Sequence, residues 1–251
     1  MDHLLVKKRG AIASISFNRP KALNAFTPDM LKALIEHIRA LETDGETAVL
    51  VLEGEGRAFS AGVDLKALQA ATPVAGRISK VFDESAQAAA AVVRKTPLPV
   101  IAKVHGYCFT GALELALHCD YIVTTADTKF GDTHAKWGLR PTWGMSQNLA
   151  RAVGVRRARE LSYTARTFTG EEAASWGLAN AALADKPALD AAVDQHAEAI
   201  AAASRGAVAA YKKLYRLNEE NRPLEDALDE EVRLEFPEIT DTADRLKAFG
   251  A

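Results

Sequence analysis

The paired stretches Arg57-Ala58-Phe59-Ser60-Ala61-Gly62-Val63-Asp64-Leu65 and His105-Gly106-Tyr107-Cys108-Phe109-Thr110-Gly111-Ala112-Leu113-Glu114-Leu115 decide the reading of this chain. Each follows a continuous apolar run, Ala48-Val49-Leu50-Val51-Leu52 before the first and Leu98-Pro99-Val100-Ile101-Ala102-Lys103-Val104 before the second, and each turns on glycine. Glycine lets the backbone come close to a ligand, and an N–H just past such a turn has no obvious partner in a regular element. Two such N–H groups aimed at one point stabilise negative charge growing on a carbonyl oxygen. The pair therefore predicts an oxyanion hole and acyl chemistry.

Outward from these turns the chain repeats one theme, a short apolar strand, a glycine turn and a helix. Ala11-Ile12-Ala13-Ser14-Ile15-Ser16-Phe17 alternates as a strand with one buried face does. Thr27-Pro28-Asp29 supplies an N-cap, a proline at the first helical position and an acid in the first turn, and launches a helix with Leu31, Leu34, Ile35, Ile38 and Leu41 as its buried stripe. A second helix, patterned on Ile78, Val81, Phe82, Ala89 and Val92, lies between the two special turns. Apolar runs without alternation predict strands covered on both faces, hence an α/β fold with crossover helices. After about Gly144 the pattern is mostly helical, with Thr169 and Glu172 at capping-box spacing and helices near 186–203, 206–221 and 223–235.

Composition narrows the partners. Of 251 residues, 48% are hydrophobic, enough for a large core. The 31 Lys and Arg against 33 Asp and Glu leave a formal charge of -2, so no global field draws the chain to nucleic acid or a membrane surface. No segment approaches the roughly 20 apolar residues of a membrane span, and the amino-terminal residues lack a signal-peptide pattern, which predicts a cytoplasmic protein. Cys108 and Cys119 sit in apolar surroundings without a C-x-x-C spacing, so neither a disulfide framework nor a metal site is predicted.

Glu114 falls about one turn into the helix that opens at Gly111, flanked by Leu113, Leu115 and Ala116, with no Lys or Arg within a turn. A carboxyl in such surroundings has its pKa raised, which suits proton transfer beside a bound carbonyl near neutral pH. Ala58-Phe59-Ser60-Ala61-Gly62 approaches a serine nucleophile elbow, but its first glycine is missing, and Ser60 reads as a packed turn residue.

Together with Asn18-Arg19-Pro20-Lys21-Ala22-Leu23-Asn24-Ala25, Cys119-Asp120 and Phe130-Gly131, the two stretches resemble the crotonase superfamily of enoyl-CoA hydratases and isomerases over nearly the whole chain. The resemblance implies a spiral of strand-strand-helix units over residues 1–190 that binds acyl-CoA, and a helical carboxy-terminal region over 191–251 that assembles trimers or hexamers. It implies that the Val63 and Gly111 N–H groups hold the thioester oxygen. Lys21, Ala22, Leu23, Ala61, Asp64, Leu65 and Lys66 match segments lining the CoA path. No cofactor is implied beyond the coenzyme A carried by the substrate.

Hydration of a 2-enoyl thioester needs a base for water and a proton for C2, and typical members of the family place a glutamate at each of two positions. Glu114 matches the first. The second falls on His134, in Asp132-Thr133-His134-Ala135-Lys136-Trp137-Gly138, and an imidazole with an ordinary pKa near ~6.5 carries a proton either way. Pro141-Thr142-Trp143-Gly144-Met145 replaces the family's small-residue loop, so Trp137, Thr142, Trp143 and Met145 are expected around the acyl group. The resemblance thus implies an enoyl-CoA hydratase with Glu114 and His134 in its site. Isomerisation, acyl-CoA binding without turnover and thioester hydrolysis are the other outcomes open to such a site.

Overall fold

The structure is a computed structural model that describes residues 3–64, 66, 69, 72–220 and 223–247. The described elements are β1 (Leu4–Arg9), β2 (Ile12–Phe17), α1 (Pro28–Thr43), β3 (Val49–Gly54), α2 (Lys80–Lys95), β4 (Val100–Val104), β5 (Tyr107–Phe109) and α3 (Gly111–Ala116). They continue with β6 (Tyr121–Thr125), β7 (Lys129–Gly131), α4 (Met145–Val153), α5 (Val155–Thr164), β8 (Phe168–Thr169), α6 (Gly170–Ser175) and β9 (Ala181–Leu183). Helices α7 (Lys186–Ala202), α8 (Arg205–Glu219), α9 (Leu224–Arg233) and α10 (Thr242–Lys247) follow.

One sheet runs in the order β1-β2-β3-β4-β6-β9, parallel throughout except for the antiparallel β1-β2 pair. A smaller sheet, β5-β7-β8, lies beside it. The arrangement is the mixed α/β fold that the apolar runs predict. Along β3, Leu50 and Leu52 face the core built with α1 and α2, whereas Val49 and Val51 face Leu189, Val193 and Ala197 of α7. Both faces are covered, which is why the run does not alternate. Each of these fully buried aliphatic side chains contributes about 1.5–3 kcal/mol relative to exposure.

Helix α1 starts as its sequence dictates. The Thr27 hydroxyl accepts from the Met30 N–H and Pro28 stands at the first helical position. Its stripe is Met30, Leu31, Leu34, Ile38 and Leu41, with Ile35 only partly buried at the margin. In α2 the pattern is corrected: the helix opens at the Ser79 cap, so Phe82, Ala86, Ala89, Ala90 and Val93 turn inward. Val81 is 61% exposed, and Ile78 precedes the helix.

Helix α7 runs unbroken across residue 190, where the sequence-drawn division falls. Helices α8 and α9 leave Tyr211, Tyr215, Leu224, Leu228 and Val232 exposed. Among the described residues no helix is long and apolar enough to cross a membrane.

Candidate active site

The two glycine turns are zipped to each other. The Ser60 N–H donates to the Tyr107 carbonyl at 3.0 Å, the Phe109 N–H to the Ser60 carbonyl at 3.3 Å, and the Phe59 N–H to the His105 carbonyl at 2.9 Å. Gly62 sits at φ +92°, where a Cβ would come within 2.6 Å of the Phe109 carbonyl oxygen and 3.4 Å of the Gly111 nitrogen. Only glycine brings the backbones so near without strain.

The two N–H groups predicted to act together are left without partners by the way each turn is built. The Phe26 N–H donates to the Gly62 carbonyl and the Asp64 N–H to the Phe26 carbonyl, so the Val63 N–H between them is skipped. Gly111 is the first residue of α3, and a first-turn N–H has no intrahelical acceptor. Among the described residues neither N–H donates to a protein acceptor.

Thr110, just before Gly111, adopts φ 49° and ψ -109°, an outlier for a β-branched residue. Its N–H donates to the Gly131 carbonyl at 2.8 Å, and its Oγ1 lies 2.5 Å from the Thr133 Oγ1. These bonds from β7 and its following loop hold the strained turn that aims the Gly111 N–H.

Glu114, one turn into α3, is 1% exposed. Its Oε1 accepts from the Trp143 and Met145 N–H groups, each at 3.1 Å. Its Oε2 stands 3.5 Å from the His134 Nε2. Burial raises the Glu114 pKa to about 7 against the opposing pull of His134 and the two backbone donors. The imidazole is buried too, and its Nδ1–H donates to the Asp132 Oδ1 at 2.6 Å. Burial pulls His134 down, but the Asp132 hydrogen bond and the charges of Glu114 and Asp132 outweigh it and hold the pKa above the ordinary imidazole value.

A cavity of about 350 Å³ opens over this pair, lined by Val63, Thr110, Glu114, Thr133, His134 and Trp143 among others. Ala61, Trp137 and Thr142 also line it, Trp137 being 63% exposed. Trp143 stacks on Phe82 with ring centroids 5.6 Å apart, and it covers Gly111 so closely that a Cβ there would meet the indole Cη2 at 2.7 Å. Met145 is a correction: its side chain is fully buried in the core, and it reaches the site only through its N–H on Glu114.

Lys21 and Ala22 are exposed on a short 3-10 turn, and the Leu23 carbonyl accepts from the Ala61 N–H at 2.8 Å, so this turn docks against the Gly62 loop. Asp64 pairs with Arg19 at 2.8 Å and its Oδ1 accepts from the Lys66 N–H. Lys66 is exposed, and Leu65 lies outside the described residues.

Three further residues hold the site that sequence alone did not single out. Asn24, fully buried at φ 55°, donates to the Glu55 and Ala58 carbonyls and accepts from the Arg19 N–H, tying the 19–24 turn to the 55–58 turn. Asp132 accepts the His134 Nδ1–H, and Thr110 carries the strained backbone just before Gly111. For Asp132 the signal was present, an acid two residues before His134 at Asx-turn spacing.

Ser60 is the packed turn residue the sequence suggests. Its hydroxyl donates to the Asn24 carbonyl at 2.8 Å and accepts from the Gly62 N–H at 3.1 Å. Ser60→Ala is expected to lower thermal stability, by about 1–3 kcal/mol for the two buried groups left unpaired, and to retain turnover of acyl-CoA thioesters. Calorimetric melting beside a turnover assay checks this, and loss of turnover without loss of stability would contradict it.

The family model described as enoyl-CoA hydratase/isomerase matches residues 7–249. A probable peroxisomal enoyl-CoA hydratase 1 from Arabidopsis thaliana is 35% identical over 83% of this chain and 76% of its own length. A probable enoyl-CoA hydratase from Rhizobium meliloti is 34% identical over 100% of this chain and 94% of its own. The crystal structure of enoyl-CoA hydratase from Bacillus anthracis superposes with a TM-score of 0.90 at 27% identity, covering 99% of this chain and 95% of that one. With a match over almost its whole length and the glycine turns joined as described, the chain belongs to the enoyl-CoA hydratase/isomerase family.

Proposed function

We propose that the protein hydrates 2-enoyl-CoA thioesters, with Glu114 as the base and His134 as the acid. The observation that carries this reading is the 3.5 Å approach of Glu114 Oε2 to His134 Nε2 in the cavity lined by Val63, beside Gly111. The thioester oxygen sits between the Val63 and Gly111 N–H groups, as the two unpaired donors favour. Glu114 Oε2 takes a proton from water as the water oxygen bonds to C3. The C2=C3 electron pair moves toward the thioester oxygen as an enolate, and C2 then takes the proton of His134 Nε2. The cycle closes when the proton on Glu114 returns to His134.

The protonation states fit these roles. An imidazolium between the Asp132 and Glu114 carboxylates is stabilised as the acid, while a carboxyl whose pKa lies near 7 accepts and releases a proton at little cost. The thioester supplies its own activation, so the reading calls for no cofactor beyond the substrate's CoA. Lys21, Ala22, Leu23, Ala61, Asp64, Leu65 and Lys66 are assigned to the CoA path, a reading supported by the docking of the 20–23 turn on Ala61. A homotrimer or hexamer formed through the 191–251 helices completes the reading, supported by the exposed Tyr211, Tyr215, Leu224 and Val232. The same reading keeps residues 1–190 as the acyl-CoA-binding core and places the protein in the cytoplasm.

Following the conjugated-thioester absorbance of crotonyl-CoA with purified protein tests the proposal. The band is expected to disappear with the wild-type chain, and His134→Ala is expected to slow its loss by about 100-fold or more, the usual worth of one general acid. Binding of crotonyl-CoA with a persistent band would contradict it.

A further inference from the structure

Asp132 lies outside the pair to which the hydration chemistry is assigned, yet it is the most constrained group beside it. It is 2% exposed, and both carboxylate oxygens are committed. Oδ1 accepts the His134 Nδ1–H at 2.6 Å and also the His134 N–H at 3.2 Å. Oδ2 accepts the Ser162 hydroxyl of α5 at 2.7 Å. The result is a single line, Ser162 to Asp132 to His134 to Glu114, that meets the cavity at His134 and Glu114.

A carboxylate on Nδ1–H fixes which ring nitrogen faces the reacting atoms. An imidazole free to turn or change tautomer can present a bare Nε2, or Nδ1, in place of an Nε2–H. With Nδ1 held by Asp132, Nε2 is directed at Glu114 and the cavity, and the ring carries its second proton at that atom. The charged groups bearing on the ring are Asp132 from its own loop and Glu114 from α3, and α5 contributes neutral Ser162 through Asp132. Arg140, from the loop before α4, lines the same cavity.

We propose that Asp132, braced by Ser162, is the positioning residue that lets His134 serve as the proton donor, so that a buried Asp–His pair does the work of a second carboxylic acid. This rests on the hydration reading for its catalytic consequence. The orientation and charging of His134 by Asp132 stand apart from that reading. Asp132→Asn keeps the shape but removes the charge and offers an amide to Nδ1. With Asp132 the imidazolium persists to higher pH, so activity that needs it is lost as pH rises through its titration. Without the carboxylate that loss comes earlier.

The test measures the pH dependence of kcat on crotonyl-CoA for wild type, Asp132→Asn and Ser162→Ala, with ring-nitrogen NMR titration of His134 in each. For Asp132→Asn, kcat is expected to fall about 100-fold with KM little changed. The alkaline limb and the His134 titration are both expected to move down by about one pH unit or more. Ser162→Ala is expected to move them the same way by a smaller step, and it decides the matter if Asp132→Asn does not fold. A fall in kcat with both the limb and the NMR titration unmoved would overturn the proposal, since a merely structural role gives that result. If wild type hydrates nothing yet the His134 titration drops in Asp132→Asn, the hydration reading fails and the positioning role stands.

Discussion

Glu114→Gln is expected to reduce kcat on 2-enoyl-CoA by about 10³-fold or more, while calorimetric affinity for a saturated acyl-CoA stays as in wild type. The amide keeps the side-chain shape, and its oxygen still accepts from the Trp143 and Met145 N–H groups that hold Oε1. What is lost is the basic Oε2 facing His134. A loss of affinity equal to the loss of rate would mean that Glu114 shapes the cavity without taking the proton.

The same substitution carries a stability signature whose sign follows from burial. In the unfolded chain the carboxyl ionises near 4.5, whereas in the fold burial holds it to about 7. Across that window the folded state keeps a proton that the unfolded state has lost, so the contribution is present below the lower value and is lost as pH rises through the upper one. At about 1.4 kcal/mol per unit, roughly 3 kcal/mol is at stake. His134, also raised, adds a loss of the same sign on rising pH. Glu114→Gln is therefore expected to melt above wild type at about pH 8, with the gap closing toward about pH 5. A gap independent of pH would contradict the burial account.

Gly62→Ala is the second large effect. Its Cβ would lie 2.6 Å from the Phe109 carbonyl, and φ +92° is closed to an ordinary side chain. Phe109 cannot yield freely, because its N–H and that of Ser60 bind the two turns together. The Gly62–Val63 peptide is the part that must shift, and with it the Val63 N–H. Loss of one such donor costs about 10²–10³ in kcat, and the strain costs about 1–3 kcal/mol in stability. Steady-state kinetics beside thermal melting checks both, and full kcat in the variant would remove Val63 from the oxyanion hole.

Much of this was legible because the decisive signals are local. The Thr27-Pro28-Asp29 start and the Thr169–Glu172 capping box both form as their spacing dictates. The unbroken apolar run at 49–52 belongs to a strand with helices on both faces. Glu114, isolated among apolar neighbours, has the raised pKa that isolation implies. What failed depended on distant parts of the chain. Strands β5 and β7 are three residues each and exist through pairing with each other. In α2 the buried face is the one that packs on α1, so Val81, expected inward, faces solvent while Phe82, Ala86 and Val93 are buried. Asp132 and Ser162 meet across 30 positions of sequence, and the strain at Thr110 is set by bonds from β7 and Thr133. Met145, expected around the acyl group, is a core side chain that meets the site only through its N–H on Glu114, a contact made across 31 positions of sequence.

The central claim is that water adds across C2=C3 of a thioester held by Val63 and Gly111, and incubation of crotonyl-CoA in heavy-oxygen water followed by mass spectrometry tests it most directly. The account predicts one labelled oxygen on C3 of a 3-hydroxyacyl thioester with the CoA intact. Label in a released carboxylate with free CoA, or a moved double bond without label, would contradict it.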